Sequence, residues 1–523
     1  MAAEQGKTVD LSVAMILDPV PAADWLVIAP VALPLIFGAV LLMLRHRTAT
    51  QPRVAIAALA ALFAVDLGLL IHVWTGGPVV MTMGRWLPPF GISFVADMLG
   101  ATLVVTAGLV ALVCGIFSIG TVNDIGRRYG FYAFMMLMVA GVNGSFLTGD
   151  IFNLYVWFEV FLISSFGLII LGSGRRQIDG ATKYAILNLV ATTLFLIATG
   201  YLYGIFGTLN MADIARKAPD LRETAPLMTL ATLYLVAFGM KAAAFPLNFW
   251  LPASYHTPRI VVAALFAGLL TKVGIYALLR TLVMLFPPER SVLSGLIIWL
   301  AIGTMLIGIF GALAQNDIRR VLGFVVVSGI GSMLAGIGLG SEVGLAGAIV
   351  YAVHSMLVMT ALYLLAGQMR RAGGSYSLSD LAGLYRSHPM MAAIALFLVL
   401  AAAGLPPGSG LWPKVMLVQA SLADGIWWLA LAILVTGLLT TLALGRVFVL
   451  AFWRVKEGKA AERTGSEIAT TASAQTAVLI LCIPVAMMGV WPEPFIAAAQ
   501  TAVAGLLDPA AYAGAVFPVE AVQ

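Results

Sequence analysis

The sequence predicts an all-α integral membrane protein with about fourteen transmembrane helices. Hydrophobic residues make up 61% of its 523 positions and charged residues only 10%, and the mean hydropathy is +1.01. A soluble domain carries about 25% charged residues. So few polar groups could not cover the apolar surface of a soluble fold, and we therefore expect lipid to be the solvent.

The apolar runs are long enough to span a bilayer, which takes about 20 residues of helix. The longest polar stretches are residues 368–388 and 454–470, and both are too short for a solvated domain. We therefore expect one polytopic membrane domain over residues 1–523. The run at 494–507 is a candidate fifteenth element, lying at the membrane interface. The expected spans are 25–45, 54–74, 94–119, 130–148, 151–172, 183–206, 226–251, 259–284, 291–314, 321–340, 344–367, 389–421, 425–453 and 472–491.

Lysine and arginine residues indicate the orientation, because they collect in cytoplasmic loops. Most of the 29 basic residues fall in one set of alternate loops, which includes Arg127, Arg175 and Arg319. The other set holds few, among them Lys217, with Arg280 near its edge. This bias predicts that both termini lie outside, in a bacterial inner membrane.

Several ionisable residues fall inside the expected spans. Each costs about 2.5–3.5 kcal/mol at the centre of a helix on insertion scales, so a group of them calls for a reason. At a rise of about 1.5 Å per residue, Glu159, Lys272 and His354 fall near the bilayer midplane. The alternative is a structural ion pair, but one shared depth across many helices favours ion translocation. The ionisable residues inside spans are Asp66, Glu159, Lys241, Lys272, His354, Lys414 and Arg446.

For three of these residues, an interpretation other than ion translocation is considered. Asp66 has no lysine in the neighbouring spans, so we expect it to have a local packing role. Arg446 can extend toward the basic loop that follows its span. His354 taken alone could also be a satisfied core histidine.

Prolines interrupt the seventh and twelfth expected spans. Pro246 follows Lys241 closely, and Pro406, Pro407 and Pro413 precede Lys414. Proline removes a helical hydrogen bond, and unwound backbone at membrane depth is tolerated where it lines a cavity or is buried in protein. We therefore predict that helices seven and twelve are discontinuous, and that the breaks lie on an ion path.

The two interrupted spans are five helices apart, and five is odd. Two five-helix units would then have opposite orientations, as in the inverted repeats of transporters. A short identity, GLLT at 268–271 and at 437–440, agrees weakly with this offset. The expected repeat units are residues 130–284 and 291–453, approximately.

Cofactor and nucleotide motifs are absent from the sequence. Cys114 and Cys482 lie far apart, the five histidines lack metal-ligand spacing, and there is no GxxxxGK[ST]. We expect no cofactor, no metal centre and no nucleic-acid partner. An ion gradient or a partner protein would then supply the energy.

Four segments, 150–172, 240–258, 263–280 and 402–422, closely resemble the D subunit of Mrp-type multisubunit sodium/proton antiporters. Their superfamily includes the antiporter-like subunits of respiratory complex I and of membrane-bound hydrogenases. The resemblance covers nearly the whole chain. It implies a proton-translocating, non-enzymatic subunit that works with other membrane subunits, in the lipid bilayer, on H⁺ and Na⁺.

The resemblance also assigns roles to residues of the expected spans. It implies a pair between Glu159 and Lys241, a central Lys272, a histidine at His354 and a terminal lysine at Lys414. Some relatives carry a second lysine where this sequence has Met359. That departure weakens a role for His354 acting with a nearby lysine on its own helix.

Three alternatives remain open from the sequence. A proton-pumping subunit of a redox complex, of the NADH–quinone oxidoreductase or hydrogenase type, would show the same breaks and charges. A structural subunit that transports nothing would tolerate loss of the buried charges. A quinone enzyme would need cofactor ligands that the sequence does not offer.

Overall fold

The computed structural model describes residues 14–455 and 472–517. Both chain ends and most of the polar stretch 454–470 lie outside the described residues. Helices dominate, with one short antiparallel hairpin of β1 (Val79–Thr82) and β2 (Ser93–Ala96). The helices are α1 (Trp25–Met43), α2 (Gln51–Gly76), α3 (Met98–Ser118), α4 (Asp124–Arg128), α5 (Phe131–Leu147), α6 (Ile151–Ile170), α7 (Arg175–Phe206), α8 (Met211–Leu221), α9 (Leu227–Ala242), α10 (Trp250–Ser254), α11 (Ile260–Leu278), α12 (Pro287–Ala314), α13 (Ile318–Leu339), α14 (Glu342–Gly373), α15 (Leu384–Ser387), α16 (Pro389–Ala403), α17 (Leu411–Ala423), α18 (Trp427–Phe448), α19 (Ala472–Val490), α20 (Glu493–Leu507) and α21 (Ala510–Val516).

Among the described residues, 11 helices are long and apolar enough to cross a membrane. Four shorter apolar helices, α5, α9, α16 and α20, accompany them. Helices α11 and α14 are buried along their apolar length by their neighbours, whereas α1, α2 and α19 expose much of theirs. The all-α membrane class is therefore confirmed, with α11 and α14 at the centre of the bundle.

Several helices extend beyond the apolar runs that predict them. Helix α7 starts at Arg175 rather than at 183, because the Gln177 side chain caps its first turn by accepting from the Gly174 backbone N–H at 3.1 Å. Helix α14 continues to Gly373 and ends where Gly374 turns left-handed. Hydropathy detects the segment that lies in lipid, whereas capping decides where the helix stops.

Residues Glu493–Leu507 form α20, an apolar helix of the C-terminal region. The helix packs against α3 and α14, and Ala498, Val503 and Leu506 are buried on its inner face. Small side chains on that face allow the close approach. The interface location expected for this run stays a prediction.

The predicted interruptions of two helices are present. The first break, residues 243–249, separates α9 from α10, and the second break, residues 404–410, separates α16 from α17. Each begins at a residue in the left-handed region, Ala243 with φ 62° and Gly404 with φ 83°. Proline in each break removes a backbone hydrogen-bond donor, and together with the left-handed residue it favours the end of the helix at that point.

The loops collect at two opposite ends of the bundle. The hairpin end carries β1, β2 and α8, and there the Arg222 side chain lies 3.4 Å from a carboxylate oxygen of Glu289. The arginine end is the other one, where Arg259 donates to Asn123 Oδ1 at 2.7 Å and Arg446 donates to Leu313 O at 2.6 Å. The Arg446 side chain therefore reaches the last turn of α12 and, through Asn316 Oδ1, the loop after α12. The expected extension toward the basic loop that follows its own span stays a prediction.

The left-handed residues of the two breaks give a matched pair of substitutions. A Cβ added at Gly404 would lie 2.6 Å from Lys414 Cδ, and L-residues are strained at this φ. We expect Gly404→Ala to lower stability by about 1–2 kcal/mol and to displace Lys414. Ala243→Gly, which relieves the same strain in the first break, should not destabilise. Thermal unfolding of the purified variants in detergent measures both, and an equally stable Gly404→Ala would contradict this account.

Candidate functional site

Glu159 lies in the middle of α6, whose start is fixed by Asp150. The Asp150 carboxylate accepts from the Asn153 backbone N–H at 2.7 Å and caps the helix. Glu159 Oε1 is buried and has no hydrogen-bond partner among the described residues. Its carboxylate faces a cavity of about 170 Å³ between α6 and α7, lined also by Leu162, Phe166, Ala185, Ile186, Leu189 and Thr192.

Lys241 lies in the last turn of α9, two residues before the first break begins. Only 4% of the residue is exposed, and its Nζ donates to Thr192 Oγ1 at 2.6 Å. The same threonine hydroxyl donates to Asn188 O at 2.8 Å. The ammonium also lies 5.5 Å from the ring centroid of Phe158, so one hydroxyl and one aromatic face are its near partners.

The expected contact between Glu159 and Lys241 is not formed. These two residues do not approach within the 4.0 Å of an ion pair. Thr192 separates them, since it lines the Glu159 cavity and accepts from Lys241. A carboxylate near a lysine favours its ammonium form even without direct contact, so the pair is an indirect one.

The sequence contains a signal for Thr192. Asn188 and Thr192 are four residues apart in a helix that is otherwise largely apolar, so they lie on one face. Both are buried, whereas the neighbouring Thr193 is exposed and bonds only Leu189 O. Polar residues at helical spacing in a span, and not only charged ones, mark the site.

Lys272 lies on α11, where every residue is buried. It is 1% exposed, and its Nζ donates to Ala267 O on its own helix at 2.5 Å. Helix α11 passes very close to the first break, because a Cβ added at Gly274 would lie 2.8 Å from the Ala242 nitrogen. The glycine therefore brings the helix of Lys272 against the helix of Lys241.

His354 connects α14 to the second break. The residue is 3% exposed, and its Nδ1 lies 2.7 Å from Ser409 Oγ. The ring fills the space that a side chain at Gly410 would need, since a Cβ there would lie 2.9 Å from His354 Cε1. Met359 is buried farther along the same helix.

Lys414 lies in the first turn of α17, directly after the second break. Its Nζ donates to Ala403 O at 2.6 Å, the last carbonyl of α16. A helix C-terminus carries partial negative charge and stabilises a cation. Lys414 is only partly buried, and Val415 and Leu438 beside it are exposed.

The predicted residues therefore lie on helices that are neighbours in space. Helix α6 packs on α7, α7 on α9, α9 on α11, α11 on α14, and α14 on α17. The five side chains thus lie on successive neighbouring helices, from the Glu159 cavity to the exposed flank at Lys414. We call this set the charge row, and its members are Glu159, Lys241, Lys272, His354 and Lys414.

Asp66 lies apart from the charge row, on α2. It is fully buried against α3, where a Cβ added at Gly108 would collide with its Oδ2. Neither carboxylate oxygen has a hydrogen-bond partner among the described residues. The packing role expected for Asp66 stays a prediction.

One buried ion pair was not expected from the sequence. Arg280 donates to Asp97 Oδ1 at 2.5 Å, and the arginine is only 1% exposed. The sequence places Arg280 at the edge of a loop, because hydropathy does not show that the hairpin and the C-terminal helices cover this end. Within residues 14–455 and 472–517, no group of three His, Cys, Asp or Glu side chains could hold a metal ion.

This geometry defines a class of protein. Discontinuous helices beside buried lysines, with polar side chains linking one helix to the next, are features of membrane subunits that translocate ions.

Comparison with known proteins gives the family. Residues 148–440 match the model of the NADH:quinone oxidoreductase/Mrp antiporter transmembrane family. The chain is 40% identical to the D subunit of the Na(+)/H(+) antiporter of Alkalihalophilus pseudofirmus, over 82% of this chain and 87% of that protein. It is 34% identical to the corresponding Na(+)/H(+) antiporter protein of Bacillus subtilis, also a D subunit, over 94% and 99%. The chain belongs to this family.

A solved structure shares the fold. A chain of the Mrp complex from Dietzia sp. superposes with a TM-score of 0.87 at 29% identity, covering 95% of this chain and 100% of that one. The fold is therefore that of a membrane subunit of this family, over nearly its full length.

Thr192 and Thr193 give a controlled test of the site geometry. Thr192→Val removes the acceptor of the Lys241 ammonium at nearly constant volume, and a hydrogen bond to a charged group contributes about 1.5–3 kcal/mol. We expect a loss of stability of that order. Thr193→Val changes an exposed hydroxyl and should be nearly neutral. Thermal unfolding in detergent compares them, and equal effects of the two changes would refute the Lys241 contact.

Proposed function

We propose that this chain is the proton-translocating subunit of a multisubunit Na⁺/H⁺ antiporter, moving protons along the charge row. The observation that carries the proposal is a set of three lysines, each held by a single polar hydrogen-bond partner near the two helix breaks. Lys241 and Lys272 are buried, and Lys414 is partly buried. Family membership supports it. The identity to two antiporter subunits favours the antiporter over a redox-driven pump, and a secondary transporter over an enzyme.

Electrostatics supplies the mechanism. Burial disfavours the ammonium form of a lysine, and a carboxylate nearby favours it. A movement that weakens the influence of Glu159 on Lys241, across Thr192, would release the Lys241 proton toward Lys272. The unwound backbone and waters of the two breaks would carry protons between groups. The titrations are coupled, so the row titrates as a unit.

The helices join into fourteen spans under this proposal. Helices α9 and α10 form one span across the first break, and α16 and α17 form one across the second. Helices α19 and α20 also form one, because Trp412 Nε1 donates to Gly489 O at 2.9 Å and so places their junction beside the second break. The spans are α1, α2, α3, α5, α6, α7, α9–α10, α11, α12, α13, α14, α16–α17, α18 and α19–α20.

The inverted repeat is part of the same proposal. The units, residues 130–284 and 291–453, each contain five spans, and the fourth span of each is broken. The fifth span of each ends in a π-helical segment, Leu279–Leu285 after α11 and Val449–Trp453 after α18. π-Helical segments are rare, so their recurrence at matching positions supports two units of common design.

The first experiment removes the single acid of the row. Glu159→Gln keeps the size of the side chain and loses the charge that favours protonated Lys241. We expect antiport to be abolished in everted vesicles containing the whole complex, with normal insertion of the chain. Lys414→Ala should have the same effect, whereas Asp66→Asn should do little. Near-normal Na⁺/H⁺ exchange by the Glu159→Gln variant at normal expression would contradict the proposal.

Orientation follows from the basic loops. We propose that the arginine end faces the cytoplasm and the hairpin end faces outside, with both termini outside. An impermeant thiol reagent applied from outside should label Lys217→Cys, on α8, and spare Arg175→Cys and Arg319→Cys. Labelling of position 175 but not 217 would reverse the orientation.

The chain is proposed to need partner subunits. The row contains three lysines and one acid, and unpaired charge in hydrocarbon costs several kcal/mol per ion. Either a lysine is neutral, or an acid of a neighbouring subunit faces Lys414. The exposed flank of α17 and α18 beside Lys414 leaves room for such a neighbour. A sodium site needs oxygen ligands, and the described residues offer no cluster of deep carboxylates.

Reconstitution tests this dependence. The purified chain alone, in liposomes with an imposed sodium gradient, should move few protons. Robust sodium-driven proton movement that disappears in Glu159→Gln would show that one chain holds the complete site, against this expectation.

A further inference from the structure

A polar stripe runs along one face of α11 toward the hairpin end. Lys272, Tyr276 and Arg280 follow one another at four-residue spacing, which places them on one side of the helix. All three are buried, with Arg280 at the start of the π-helical segment. At about 1.5 Å per residue, the stripe covers roughly 12 Å of the helix axis from the central lysine.

Tyr276 lies in the middle of the polar stripe. Its hydroxyl donates to Phe146 O at 2.9 Å and accepts from Arg280 Nε at 3.0 Å. Phe146 lies near the end of α5, and the two rings meet edge to face at 5.2 Å. A single hydroxyl thus lies between the level of Lys272 and the guanidinium.

Arg280 and Asp97 form the end of the stripe. Arg280 Nη2 donates to Asp97 Oδ1 at 2.5 Å, and the same oxygen accepts from the Gly100 backbone N–H at 2.9 Å. A buried ion pair is weak evidence for a stabilising role, because desolvation can exceed the attraction. The π-helical segment beside it is a feature frequently found at functional sites.

The C-terminal helix α21 covers this ion pair. Tyr512 stacks on Arg280, with 5.3 Å between its ring centroid and the guanidinium carbon. The Tyr512 hydroxyl is buried and has no partner among the described residues. Arg216 of α8 holds the helix in place by donating to Ala513 O at 3.3 Å and by lying over the Phe517 ring at 4.6 Å.

We propose that Lys272, Tyr276, Arg280 and Asp97 form a proton exit from the charge row to the hairpin end, closed in this structure by Tyr512. The proposal rests on the proposed function and adds a route to it. The Lys272 ammonium becomes an amine as its proton passes to the Tyr276 oxygen. The tyrosine gives up its own hydroxyl proton to the Asp97 carboxylate, and Asp97 releases it to water once Tyr512 moves aside.

The present conformation is the closed one. Lys272 donates to Ala267 O, toward the start of α11 and away from Tyr276. The Tyr276 hydroxyl donates to a backbone carbonyl, which cannot accept its proton permanently. Asp97 is occupied by Arg280. Opening therefore requires Lys272 to turn toward the hairpin end and the ion pair to loosen.

Tyr276→Phe tests the route with little change of shape. We expect antiport per assembled complex in everted vesicles to fall by about tenfold or more, equivalent to roughly 1.4 kcal/mol of barrier. The matched control is Tyr363→Phe, a buried tyrosine whose hydroxyl donates to Arg319 O at 3.0 Å at the arginine end. It should retain antiport within about twofold. A merely structural hydroxyl would lower the amount of complex and leave its specific rate unchanged.

The outcomes separate this proposal from the proposed function. Glu159→Gln is measured in the same vesicles. If it abolishes antiport and Tyr276→Phe does not slow it, the exit is wrong and the charge row stands. Equal loss in Tyr276→Phe and Tyr363→Phe would also overturn the exit. If Glu159→Gln retains antiport, the proposed function itself fails.

Tyr512→Ala tests whether the Tyr512 ring closes the proposed exit. This variant also tests the proposal if complexes that carry Tyr276→Phe do not assemble. Removing the ring should open the exit, so a pH gradient should collapse faster without sodium. Tyr203→Ala, an exposed side chain near the same end of α7, should not change the leak. An unchanged leak in Tyr512→Ala would overturn the closed exit.

Discussion

The cost of placing a charge in hydrocarbon decides where each member of the charge row can lie. Each lysine of the row has one short hydrogen-bond contact. Lys241 bonds a threonine hydroxyl, Lys272 bonds a carbonyl of its own helix, and Lys414 bonds the last carbonyl of α16. A single contact stabilises an ammonium only partly, because the ammonium has three N–H donors. Under the proposed function, this incomplete pairing lets each lysine give up a proton more readily than a fully paired lysine would.

The second helix break supplies polar partners for two members of the charge row. A continuous helix engages its internal carbonyls in its own hydrogen bonds, whereas a break leaves carbonyls free to accept from other donors. The second break brings Ala403 O to Lys414 and Ser409 to His354. The first break lies against α11, the helix of Lys272, through the close approach at Gly274. The two breaks therefore arrange the row as well as interrupt the helices.

Much of this arrangement could be predicted from the sequence, because lipid makes composition highly informative. Charged residues inside apolar runs predicted the row, and prolines predicted both breaks. Thr192 was missed, since a neutral hydroxyl is unremarkable in a span until Lys241 is seen to reach it. The Asp97–Arg280 pair was missed because pairing across 183 positions depends on how α3 packs beside α11. Helix ends set by capping, as at Arg175, also escape a hydropathy argument.

The central claim is that Glu159 governs the charge on Lys241 without touching it. A double-mutant cycle with Glu159→Gln and Lys241→Met, followed by thermal unfolding in detergent, tests it most directly. Removing the acid alone leaves an uncompensated cation, whereas removing both leaves none. The account predicts that the double variant is more stable than Glu159→Gln alone. Independent, additive losses of stability from the two changes would contradict it.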